Sequence, residues 1–164
     1  MKKVFFTLLG ATLLVCSEIE QKCLEDKNYE ACSKLTDKSS KRAFGLYKKA
    51  CEDNNFYTCS IVANMYFEGK AVKKDNSRAR AYAKISCENK VASGCYALAV
   101  LYGVSFAQLT KEGKELLGMS EFAKAKDTMG LACKYKKPYD GDYCQDEINF
   151  KKTYQRFKTL YGGF

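Results

Sequence analysis

From Lys41 to Glu52 the apolar positions are Ala43, Leu46, Tyr47, Ala50 and Cys51. This i, i+3, i+4, i+7, i+8 spacing marks one face of an α-helix. Asp53-Asn54-Asn55 then interrupts the pattern with residues that favour turns and caps. The same spacing returns in Cys59, Val62, Ala63, Tyr66 and Phe67, and Gly69 reads as a C-cap. A second pair follows. Ser77 is its expected N-cap, Ala79, Tyr82, Ala83 and Cys87 form one face, and Cys95, Leu98, Ala99 and Tyr102 form the other, closed by Gly103.

The two pairs are copies. Cys51 and Cys87 are 36 residues apart, as are Cys59 and Cys95. At that offset Arg42 meets Arg78, Ala43 meets Ala79, Lys48 meets Lys84 and Glu52 meets Glu88. Ala63 meets Ala99, Met65 meets Leu101 and Tyr66 meets Tyr102. The outer windows are less regular, with an insertion of about ten residues at 105–118. The expected fold is therefore all-α, a superhelix of αα-hairpins at about 18–36, 41–69, 77–103 and 119–160 within a repeat domain 18–164. Irregular end units suit caps with a polar outer face.

The N-terminus differs from the rest. Lys2 and Lys3 precede an apolar stretch from Val4 to Val15, shorter than the roughly 20 residues a bilayer span needs. It reads as a secretory signal, 1–17, cleaved between Ser17 and Glu18, with lipidation of Cys16 as the alternative. Cleavage removes two lysines and no acid, so the formal charge falls from +9 to +7. The expected location is the periplasm or the exterior, without a transmembrane segment.

The nine cysteines fit this reading. Removing Cys16 leaves eight, an even number for an oxidising compartment. Ligand spacings of two to four residues, typical of zinc sites, are missing, and the chain has no histidine. Eight cysteines allow on the order of 100 pairings. The repeat selects among them. Cys51 sits in the last turn of one helix and Cys59 in the first turn of the next, and a tight hairpin brings those turns within disulfide range. The pairs expected are Cys23–Cys32, Cys51–Cys59, Cys87–Cys95 and Cys133–Cys144.

A 36-residue two-helix unit with Cys-x7-Cys across its turn, as in LYKKACEDNNFYTCSIVANMYFEG, resembles Sel-1-like repeats. It is most similar to their secreted cysteine-rich branch, the Helicobacter cysteine-rich protein family. The resemblance is strong over 41–103 and weaker over 18–40 and 104–160. It implies a right-handed superhelix and a role in protein interaction. Some members carry a beta-lactamase or penicillin-binding assignment.

The residues give that enzymatic alternative little. No serine has lysine three positions later, and neither Lys152-Thr153 nor Lys158-Thr159 is followed by glycine. Without histidine there is no Ser-His-Asp or Cys-His arrangement. No catalytic residue, metal or cofactor is expected. The function expected is a monomeric exported scaffold for a protein or peptide partner, with nucleic acid excluded by export. The basic balance suits an acidic partner, although a solvated helix surface is the favoured account of the lysines. Tyr47, Lys48, Tyr82 and Lys84 are the candidate binding residues. The tyrosines also fit the core, where they need no ligand.

Overall fold

The computed structural model describes residues 41–138 and 140–160. The expected signal segment, the Ser17–Glu18 cleavage point, the first hairpin and the Cys23–Cys32 pair lie outside the described residues. Six α-helices and no strands occur among the described residues: α1 (Lys41–Glu52), α2 (Phe56–Glu68), α3 (Asn76–Glu88), α4 (Ala92–Lys111), α5 (Glu115–Tyr135) and α6 (Tyr143–Leu160).

Helix ends follow local chemistry. The Asn55 side chain accepts a hydrogen bond from the Thr58 N–H and starts α2. Gly69 ends α2 in the left-handed region, φ 75°, with its N–H donating to the Met65 carbonyl. The expected cap at Ser77 is corrected. Asp75 caps α3, its carboxylate accepting from the Arg78 N–H at 2.9 Å, and Ser77 lies inside the first turn. An anion at a helix N-terminus also complements the macrodipole.

The expected stop at Gly103 is corrected too. The chain stays helical through Gly103 to Lys111, and most of the presumed insertion is helix. The apolar face continues past the glycine. Phe106 stacks on Phe122 at 4.7 Å and meets Phe157 edge-on at 5.2 Å. The break comes at Gly113, φ 70°, and α5 starts at Glu115, four residues before the expected 119. At 20 residues α4 is two turns longer than the 13-residue α2.

Neighbouring helices run antiparallel. Cys51–Cys59 joins α1 to α2 at one end, and Phe44 meets Tyr66 at the other. Cys87–Cys95 joins α3 to α4, and Arg80 lies over Tyr102 at the far end. Cys133–Cys144 joins α5 to α6, while Phe122 meets Phe150, Tyr154 and Phe157. The Cα separations of the three disulfides are 4.9, 4.4 and 4.6 Å. Disulfides persist in oxidising surroundings, such as the exterior, the periplasm or an intermembrane space.

The core runs through α1–α5 and is built from Tyr47, Val62, Ala63, Ala79, Ala83, Leu98, Ala99 and Met129. The two copies also meet through polar atoms. The Ser60 and Ser93 hydroxyls share a 2.9 Å hydrogen bond, and Ser86 donates to the Phe56 carbonyl at 2.7 Å. By length and composition α4 is apolar enough to cross a membrane. Its packing against α3 and α5, and its buried Leu98, Ala99 and Leu101, make it central among the described helices. No residue of α6 is buried.

Candidate functional site

The four candidate binding residues separate in space. Tyr47 is fully buried, so it offers no contact surface and is corrected to a core residue. Burial pushes its phenol above the ordinary tyrosine range, and Tyr57 adds to this. Lys48 pairs with Glu52 at 3.5 Å and Lys84 with Glu88 at 3.7 Å, the same ion pair one repeat apart. These are exposed i, i+4 pairs and contribute only a few tenths of a kcal/mol.

Lys48 and Tyr82 are linked through charge alone: burial raises the Tyr82 pKa, and Lys48 opposes that shift from α1. Tyr82 stacks on Tyr66 at 5.7 Å, and Arg78 lies 5.6 Å over the Tyr66 ring. The Tyr66 hydroxyl accepts a hydrogen bond from Arg78, which raises the guanidinium pKa further. Lys84, two positions after Tyr82, projects from a different side of α3.

A second site escaped sequence reasoning. A cleft of about 390 Å³ opens where the extended ends of α4 and α5 meet α3. Arg80 forms its inner wall, half-buried between helices. Its guanidinium contacts Glu121 at 3.1 Å, the Leu101 carbonyl at 3.5 Å and the Ser105 hydroxyl, and lies 4.8 Å from the Tyr102 ring centre. Glu121 also accepts from Lys124 at 2.7 Å, so one carboxylate is bridged by two cations. On the α4 side Gln108 and Lys114 both donate to Glu112. The Lys114 bond, then Gln108, holds the Glu112 carboxyl below its usual range. Leu109 and Leu117 line the same cleft, and Leu116 and Leu117 are 61% and 58% exposed.

One signal pointed here. The 36-residue register places Arg80 where the first copy has Phe44, a cation in an apolar position. Among the described residues no group of three or more His, Cys, Asp or Glu could hold a metal ion. The arrangement of fixed ion pairs beside exposed leucines suits non-covalent recognition.

No family model and no solved structure matches the chain. It is 34% identical over 65 residues to a cytochrome c oxidase assembly factor 7 homolog of Drosophila melanogaster. The match covers 40% of this chain and 23% of that relative, so the chain spans under a quarter of the protein it resembles.

Proposed function

We propose that the chain is an exported scaffold of disulfide-stapled αα-hairpins, a Sel-1-like superhelix that binds another protein or peptide. One observation carries this reading: the copy in sequence is also a copy in geometry. Asn54 and Lys90, 36 residues apart, both take the left-handed conformation, φ 67° and 61°, inside turns closed by Cys51–Cys59 and Cys87–Cys95. Repeats that stack in this way expose long surfaces for partners. The relative's name places it in the assembly of cytochrome c oxidase. An assembly role is compatible with a chain that holds other proteins. Export through residues 1–17, to the periplasm or exterior, supplies the oxidant that the disulfides need.

Affinity capture from an envelope extract, with oxidised and with reduced protein, tests the proposal. One partner retained by the oxidised form and lost on reduction is the expected result. Turnover of a chromogenic beta-lactam, abolished by single serine or lysine changes, would overturn it in favour of a hydrolase.

A further inference from the structure

The extension of α4 and α5 is where this chain departs from its own repeat. Without it the second copy would end near Gly103, and Ser105, Gln108, Leu109 and Leu117 would be missing beside Arg80. Insertions in repeat proteins often mark the binding face. Here the insertion is a rigid helical corner. It is braced by Phe106 against Phe122 and Phe157, and by the Thr110 hydroxyl, which donates to the Phe106 carbonyl at 2.9 Å.

We propose that this cleft binds a short peptide segment in which acidic and aliphatic residues alternate, an inference that rests on the scaffold reading. The charge arrangement selects the acid. Arg80, Lys124 and Lys114 face two carboxylates, Glu121 and Glu112, and both carboxylates are already bridged. Lys124 uses one of its three N–H groups on Glu121 and is half-exposed, so it can also donate to an incoming carboxylate. A cationic ligand would have to compete with Arg80, Lys124, Lys114 and Gln108, each of which already holds one carboxylate oxygen. The leucines select the aliphatic part. Leu117 stands on the same helix as Lys124, two turns earlier and on the same side, and Leu109 faces it from α4. A side chain inserted there covers exposed apolar surface while its acidic neighbour reaches Lys124. The formal charge, +9 for the full sequence and +7 without residues 1–17, steers the same class of ligand.

Fluorescence anisotropy with an end-capped, labelled Leu-Glu-Leu-Glu-Leu-Glu peptide and the oxidised full chain tests this. The expected result is saturable binding that weakens with salt. The same peptide with lysine for glutamate should bind far more weakly. Lys124→Glu and, separately, Leu117→Asp should each lower affinity about tenfold or more. Lys73→Glu, the same charge change on an exposed loop away from the cleft, should leave affinity close to that of the unaltered chain. Circular dichroism confirms that each variant folds. Absence of binding by the unaltered chain overturns the inference. So does binding that Lys124→Glu and Leu117→Asp leave intact. If a partner is captured from the envelope and Lys124→Glu still binds it, the cleft assignment fails and the scaffold reading stands. Capture of no partner by the oxidised chain fails the scaffold reading itself.

Discussion

Gly94, in the first turn of α4, lies so close to Ser86, in the last turn of α3, that no side chain fits between them. A Cβ on Gly94 would overlap the Ser86 side chain and approach the Cys87 nitrogen to 2.9 Å. The first copy solves the same crossing with Ala50 opposite Thr58, both buried. Small and large have exchanged sides between the copies. Gly94→Ala should destabilise the protein by about 1–3 kcal/mol through overpacking, after the helix propensity gained offsets part of the strain. Adding Ser86→Gly, which removes the Cβ that the new methyl would overlap at 2.3 Å, should recover part of that loss, although it removes the bond to the Phe56 carbonyl, worth about 1 kcal/mol. Urea denaturation of the two single variants and the double variant gives the coupling. Strictly additive values would sink this account.

Lys90 occupies a conformation that suits it poorly. Its φ of 61° lies in the left-handed region, where asparagine is far better tolerated, and the first copy has Asn54 there. Lys90→Asn should stabilise by up to about 1 kcal/mol. Asn54→Val should destabilise by more than that, because a β-branched residue is strained at positive φ. Thermal melts of both variants, read against the unaltered chain, check the two signs.

The helix pairs were legible because burial imposes a period. The faces named from spacing, Ala43 through Cys51 and Cys59 through Phe67, pack inward, as do Ala79, Ala83, Leu98 and Ala99. The errors arose where one residue type serves two purposes. Gly103 resembles a cap but lies mid-helix with only Phe150 nearby, at 3.8 Å from where a Cβ would be. Ser77 resembles a cap, but Asp75 reaches the Arg78 N–H first. Tyr47 and Tyr82 share a helical spacing and differ in burial, which depends on neighbours that spacing does not name. The cleft depends on Arg80 meeting Glu121, 41 positions away, and no local pattern encodes that contact.

The three staples among the described residues should not be reduced together. Closing an 11-residue separation in place of an 8-residue one changes loop entropy by only about 0.3 kcal/mol, so loop length does not decide the order. Access decides it. Cys59 and Cys95 are wholly buried, whereas Cys133 and Cys144 are only half-buried and tie down a helix with no buried residue. Under limiting dithiol, Cys133 and Cys144 should become alkylatable first. Peptide mapping of quenched samples reads the order, and simultaneous release of all six thiols contradicts it.

Arg80 should matter more than an ordinary surface cation. Its removal leaves Glu121, only 13% exposed, with Lys124 alone. Arg80→Ala should cost about 1–3 kcal/mol, below a fully buried pair because the guanidinium is about one-third exposed. Arg80→Lys should recover little, since one ammonium cannot reach Glu121, Ser105 and the Leu101 carbonyl together. Denaturant midpoints compare the two, and full rescue by lysine argues against the fork geometry.

Alkaline pH should weaken the fold. Burial is the leading cause raising the phenol pKa values of Tyr47, Tyr82 and Tyr143 above the ordinary 10.0. Between the ordinary value and the raised one, the unfolded chain releases these protons while the folded chain keeps them. The folded state then binds more protons, and stability falls as pH rises. The contribution is intact below pH 10.0 and is lost progressively above it. Tyr47→Phe keeps the buried ring and removes one such proton. It should leave stability near neutrality within about 1 kcal/mol of the unaltered chain. Its stability should then fall less steeply above pH 10.0 than that of the unaltered chain. Urea midpoints at about pH 8 and about pH 11, with the disulfides verified intact at each, test both statements. Identical slopes for the two proteins would remove Tyr47 from the explanation and leave Tyr82 and Tyr143 to account for the loss.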